Sequence, residues 1–164
     1  MQEGFKIRAL EEKDDSQIAV VIRAAAVTPE FQTTYTQLET MIPEYCSMYA
    51  YYDKPRHQYF VLERDGVVKG GAGITPLTDA AEDICELQKM YFAKEVRGLG
   101  LGEEMLRHCL AYAREQEFKR CYLDTMELML AAISLYKKHG FKELDEPMGN
   151  TGHNSCQRYF LLEL

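Results

Sequence analysis

A β-type run that breaks into Arg97-Gly98-Leu99-Gly100-Leu101-Gly102 and then continues as an amphipathic helix constrains this chain more than any other feature. Glycines at alternate positions of a strand-to-helix junction remove the Cβ atoms that would hold a ligand away from the backbone. The N–H groups of the helix start then face outward, and the partial positive charge of the helix terminus suits the place to phosphate groups. A tight turn with spare glycines is the plainer reading of such a cluster. Two other phosphate motifs are excluded by inspection. A dinucleotide fingerprint needs glycine three residues after Gly100, where Glu103 stands, and a P-loop needs a Gly-Lys-Ser/Thr triplet, which the chain lacks.

Hydrophobic periodicity supplies the elements around this loop. Residues 5–10 alternate as a strand, and a helix follows to about residue 26 with Ile18, Val21, Ile22 and Ala25 on one face. A second helix is predicted over 36–48, interrupted by Pro43. Residues 58–64 and 67–75 flank Asp65-Gly66 as a hairpin, although Gly70, Gly71 and Gly73 weaken its second strand or admit another backbone. A buried strand over 84–92 precedes the glycine loop. The helix over 101–117 aligns Leu101, Met105, Leu106, Cys109, Leu110 and Ala113 in one stripe. A strand over 120–125, a helix over 129–139 closed by Gly140, and strands over 141–144 and 156–164 complete the pattern. The expectation is a single α/β (α+β) domain over 1–164 built on a mixed, mostly antiparallel sheet.

Composition narrows the function classes. The chain has 164 residues with 46% hydrophobic and 27% charged content, ordinary globular values. No run approaches the ~18 apolar residues of a membrane span, and the first ten residues carry Glu3, Lys6 and Arg8 without an apolar signal region. A cytoplasmic protein is expected. The net charge is −7, and the acidity is concentrated before residue 84. Nucleic acid is therefore an unsuitable partner. An acidic first half would attract a cationic molecule through its long-range field, or would simply keep the chain soluble. Five scattered cysteines with no Cys-x-x-Cys pair read as small core residues, and His153 with Cys156 is too few ligands for a metal, so no metal is expected.

The pattern Arg-x-x-Gly-x-Gly, placed between strand and helix, resembles the pyrophosphate loop of the GNAT superfamily of acetyl-CoA-dependent N-acetyltransferases. Residues Ala132-Ile133-Ser134-Leu135-Tyr136-Lys137-Lys138-His139-Gly140-Phe141 resemble that family's Ala-x-x-Leu-Tyr-x-x-x-Gly-Phe segment. Motif-level likeness covers 84–144, and the remainder agrees in the order of its elements. The resemblance implies six to seven strands flanked by about four helices. It also implies acetyl-CoA as cosubstrate, with Arg97, Gly98, Leu99, Gly100, Leu101 and Gly102 cradling its pyrophosphate. The strand ending in Met90, Tyr91 and Phe92 would splay from its neighbour and hydrogen-bond the pantetheine arm through its backbone. The amide matching Met90 would face the acetyl carbonyl as an oxyanion donor. Those side chains can equally be core packing.

Glu86 interrupts the apolar strand eleven residues before Arg97, where several family members carry a catalytic glutamate. Partial burial would raise its pKa towards the range for proton abstraction, directly or through water. The alternative is a structural carboxylate paired with Lys89 or a hairpin residue. Tyr136 falls on the family's tyrosine, the expected acid for the departing thiolate, or else a core tyrosine. Met129 stands where many members have a cofactor-contacting asparagine. Glu103 and Glu104 are expected to turn away from bound phosphate. The acceptor cleft would involve residues 27–35 and 147–154, with Tyr45, Tyr49, Tyr51 and Tyr52 lining it or packing a helix. No cysteine is placed for an acyl-enzyme, so direct attack in a ternary complex is expected. The expected acceptor is the primary amine of a small molecule, a cationic one suiting the charge. A peptide acceptor and a non-catalytic acyl-CoA-binding domain are the other readings. A monomer or homodimer, with no nucleic acid and no membrane, completes the expectation.

Overall fold

The computed structural model describes residues 3–26, 47–152 and 156–164. Along them run β1 (Phe5–Ala9), α1 (Asp15–Ala26), a short α2 (Met48–Tyr52), β2 (Gln58–Arg64), β3 (Val67–Pro76) and β4 (Ile84–Phe92). After these come α3 (Leu101–Glu115), β5 (Arg120–Thr125), α4 (Leu130–Lys138), β6 (Lys142–Leu144) and β7 (Arg158–Glu163). The seven strands form one sheet in the order β1-β2-β3-β4-β5-β7-β6. Every neighbouring pair is antiparallel except β4–β5. A parallel pair needs a crossover, and α3 supplies it. This is the mixed, mostly antiparallel sheet expected from the sequence.

Local chemistry explains the best-defined connections. Asp65 and Gly66 both have positive φ, 51° and 79°, which matches the twist of a two-residue hairpin turn. Gly140 stands at φ 88° just past α4, and the Phe141 N–H donates back to the Tyr136 carbonyl at 3.1 Å. Glycine is the residue that adopts this helix-ending geometry at least cost.

Helices cover both faces of the sheet. On one face α3 buries the whole predicted stripe, Leu101, Met105, Leu106, Cys109, Leu110 and Ala113. It packs in one cluster with Cys85, Leu87, Leu123, Tyr136 and Phe160. Each large aliphatic side chain so buried contributes about 1.5–3 kcal/mol. On the other face Ile18, Val21 and Ile22 of α1 pack with Met48 and Tyr52 of α2 against Tyr59 and Val61. A smaller cluster, Leu77, Ile84 and Tyr122, fills the corner beside β5. No helix among the described residues is long and apolar enough to cross a membrane.

The glycines of β3 do not weaken it. The strand extends over ten residues, and Gly70, Gly71 and Gly73 form a floor beneath the rings of Phe92, Tyr59 and Tyr52 respectively. A Cβ on Gly71 would run into the Tyr59 ring and the Phe60 carbonyl. Gly71→Ala is therefore expected to destabilise the protein by about 1–3 kcal/mol, the usual cost of overpacking. The change would be read as a lower urea midpoint with an unchanged m-value.

The helix predicted over 36–48 lies almost wholly outside the described residues, as do residues 27–35 of the expected cleft, Tyr45 and His153. The described helix here is α2, begun by Ser47, whose Oγ accepts from the Ala50 N–H at 3.0 Å. Tyr52 is buried in the α1-side core, and Tyr49 and Tyr51 pack against it. These three tyrosines hold α2 to the sheet.

Candidate active site

Strands β4 and β5 pair over three residues only. Ile84, Cys85 and Glu86 lie opposite Arg120, Cys121 and Tyr122, and the ladder stops there. Beyond this point β5 continues against β7 as far as Thr125, while β4 continues against β3 as far as Phe92. Among the described residues no strand pairs with the β5-facing edge of β4 after Glu86. A strand edge of this kind presents main-chain donors and acceptors to an extended ligand.

A bulge lies in the opened part of β4. Gly71 pairs with Tyr91 and Gly73 with Gln88, so Lys89 and Met90 share the space opposite Ala72. Lys89 takes φ 53°, a left-handed conformation in mid-strand, and its carbonyl accepts from the Tyr59 hydroxyl at 2.8 Å. Such a bulge bends the strand and re-aims its side chains.

The glycine loop sits at the end of this strand. Arg97 Nε donates to the Phe92 carbonyl at 2.9 Å, and the Ala93 N–H donates to the Lys69 carbonyl at 2.8 Å, tying the loop to the sheet. Gly98 and Gly100 have φ 76° and 79°, and a Cβ on either would meet no atom within 4 Å. The space over them is open. Gly100 is the N-cap of α3 and brings no side-chain cap, so the helix start keeps donors for an external acceptor. A Cβ at Gly102 would instead meet Met90, Phe92 and Leu135 side chains at 3.6–3.9 Å, placing the first turn of α3 over the end of β4. Leu101 is buried and Leu99 exposed. The loop thus has the open glycine cradle and bare helix start that a diphosphate requires.

Glu103 and Glu104 follow in the first turn of α3. Glu103 Oε2 is 2.7 Å from Lys138 Nζ, and its Oε1 is 3.0 Å from Arg107 and 3.2 Å from His139 Nε2. The hydrogen bond from Lys138, reinforced by Arg107, lowers its pKa to about 2. Glu104 faces Arg107 at 3.6 Å. Met129 is the N-cap of α4 and makes no side-chain cap hydrogen bond.

Tyr136 and Glu86 lie on opposite faces of the sheet, beside the opening. Tyr136 belongs to the α3-side core at 7% exposure, with Phe141 and Phe160 rings at 5.8 and 6.3 Å. Its hydroxyl reaches the Met90 sulfur at 4.0 Å, so α4 touches the free portion of β4. Burial pushes the phenol's pKa up, which keeps it protonated through the neutral range.

Glu86 is 3% exposed and lies in register between Thr75 on β3 and Tyr122 on β5. Its Oε2 accepts from Gln88 Nε2 at 3.3 Å, and that amide also donates to Thr75 Oγ1 at 2.8 Å. Lys89 Nζ donates to Gln88 Oε1 at 2.6 Å. Gln88 thus contacts both Glu86 and Lys89, the pair considered from the sequence. Tyr52, Tyr122 and Cys156 all sense the Glu86 charge; burial, with a smaller contribution from that charge, raises the pKa of each. Asp124 lies near Cys156 and accepts from Thr151 Oγ1 at 2.6 Å, joining β5 to the loop before β7. Sequence reasoning missed Gln88. The available signal was its spacing, because residues two apart in a strand share a face.

Cys85, Cys109 and Cys121 are buried free thiols, and Cys156 is a half-buried one. Among the described residues no group of three or more His, Cys, Asp or Glu could hold a metal ion.

Comparison with known proteins agrees with this geometry. Residues 24–141 match the model of the "Acetyltransferase (GNAT) family". An N-acetyltransferase of Escherichia coli K12, YjgM, described as uncharacterized, is 43% identical over 159 residues, covering 96% of this chain and 94% of its own. A GNAT acetyltransferase from Staphylococcus aureus Mu50 superposes with a TM-score of 0.83 at 18% identity, covering 97% of this chain and 98% of its own. The PaiA N-acetyltransferase of Thermoplasma acidophilum, crystallised with coenzyme A, gives 0.78 at 17% identity with both chains fully covered. On the family match and the bacterial relative, this chain belongs to the GNAT acetyltransferase family.

Proposed function

We propose that the protein transfers the acetyl group of acetyl-CoA to the primary amine of a small, cationic acceptor by direct attack in a ternary complex. The observation that carries this reading is the edge of β4 beyond Glu86, along which no strand pairs among the described residues. It has the open glycine cradle at one end, and Glu86 and Tyr136 stand on its two sides. Acetyl-CoA supplies an activated thioester. The α3 start and the loop from Arg97 to Gly102 hold its diphosphate, and the backbone of Met90, Tyr91 and Phe92 aligns the pantetheine arm. Glu86 takes a proton from the incoming ammonium, directly or through water, because only the neutral amine is a nucleophile. The Met90 amide donates to the acyl oxygen as charge develops there. Tyr136 gives its proton to the departing thiolate.

An amine panel assayed for free thiol release with acetyl-CoA tests the reading. Diamines, amino acids and a short peptide serve as acceptors. Turnover with a cationic small amine supports it, and turnover with the peptide alone replaces the acceptor class. Thiol release with none, despite coenzyme A binding, overturns it.

Tyr136→Phe is expected to slow single-turnover acetyl transfer by about tenfold or more, with acetyl-CoA affinity retained. An unchanged rate in that variant removes the acid role.

A further inference from the structure

Lys89 is 7% exposed, an unusual degree of burial for a lysine, and its backbone adopts a conformation that lysine seldom takes. In a regular strand Gln88 and Lys89 would point to opposite faces. The bulge cancels that alternation. Both side chains reach the α1-side face, where Lys89 Nζ meets Gln88 Oε1 at 2.6 Å and stands 5.0 Å from the centre of the Tyr51 ring. The hydroxyl of Tyr59 clamps the bulge at the Lys89 carbonyl. Gln88 passes the contact on, donating through its nitrogen to Thr75 and to Glu86. Backbone strain, a buried cation and a bridging amide thus converge on one carboxylate.

We propose that Lys89 is a positioning residue that acts through the Gln88 carboxamide to hold Glu86 ionised and oriented. An amide whose oxygen is bound by a cation is polarised, and its N–H becomes a stronger donor to the carboxylate beyond it. Burial alone would drive Glu86 towards its neutral form, and a cation opposes this. Among the described residues, the groups facing Glu86 from neighbouring elements include Thr75 on β3, Tyr52 on α2, Tyr122 on β5 and Cys156 before β7, with the Asp124 carboxylate on the same face of β5. The two phenols and the thiol are kept neutral by burial, so among these neighbours the positive charge comes from Lys89. A directly bonded lysine would crowd the carboxylate. With the amide between them, Glu86 feels the charge and remains able to accept a proton.

The inference rests on Glu86 as the base, but its test needs no acceptor. The ¹³C-carboxyl resonance of Glu86, assigned by its loss in Glu86→Gln, is followed against pH in the free protein. Lys89→Asn removes the cation and suits the left-handed backbone; Gln88→Leu cuts the relay with the lysine in place. Each is expected to raise the titration midpoint by about one pH unit or more. Lys89→Arg is expected to keep it within about 0.3 unit of wild type. Thermal unfolding identifies the folded variants, and Lys89→Gln replaces Lys89→Asn if the latter does not fold, because Gln88→Leu also removes the hydrogen bond that Gln88 itself gives Glu86. Unmoved midpoints in folded variants overturn the relay. Full turnover by Glu86→Gln in the thiol-release assay overturns the base instead and leaves the titration result standing.

Discussion

Gly100→Asp is expected to weaken coenzyme A binding by about 100-fold or more, because placing like charges together costs several kcal/mol and each 1.4 kcal/mol is a factor of ten. Gly100 caps α3 at φ 79° with open space over its missing Cβ. Aspartate tolerates the left-handed backbone better than most residues, so the fold is expected to survive. Its carboxylate would occupy the space in which the proposed diphosphate would sit. Gly100→Ala separates steric from electrostatic loss, since it adds the Cβ without charge and should cost less affinity. Calorimetric titration with coenzyme A checks both variants, and circular dichroism checks the fold. An aspartate variant binding within a few-fold of wild type would show that the phosphates lie elsewhere.

Glu86→Gln is expected to lower turnover by about 10²–10⁴-fold, the range for losing a general base, while coenzyme A affinity stays unchanged. The substitution preserves shape, and the new amide oxygen can still accept from Gln88. It removes the proposed proton acceptor. The deficit should shrink as pH approaches the pKa of the acceptor amine, because solution then supplies the neutral nucleophile that the enzyme no longer makes. Profiles of kcat against pH for both proteins test this. A variant that follows wild type at every pH would assign Glu86 a structural role.

The features legible in the sequence were those set by local chemistry. The α3 stripe was readable because helical periodicity alone determines which residues face inward. Asp65-Gly66 and Gly140 were readable because their backbone geometry demands particular residues. Pairing between distant segments carries no such mark. That β4 splays from its neighbour was anticipated from family resemblance, not from periodicity; that the ladder stops at Glu86 was legible from neither. The bulge at Lys89 was invisible, since lysine gives no hint of positive φ as glycine or asparagine would. Strict alternation would set Lys89 and Gln88 on opposite faces, so the contact between them is a product of the bulge and carries no mark in the sequence. Gly70, Gly71 and Gly73 read as a weakness or as the approach of another backbone. The Tyr91 and Phe60 carbonyls do come close, while the rings lying over the glycines, from β2, β4 and α2, left no mark in the local sequence.

The cluster of Lys138, Arg107 and His139 around Glu103 has a consequence for the cradle at the start of α3. An acidic side chain in the first turn of a helix is itself attracted to that helix's positive end. Freed from its partners, Glu103 would be a tethered competitor for the anion seat, present at an effective concentration on the order of millimolar. Lys138, supplied by a segment thirty-odd residues further along the chain, and Arg107 hold that side chain to one side. If the loop holds a diphosphate, the second motif then guards the first against its own charge through the Glu103–Lys138 pair.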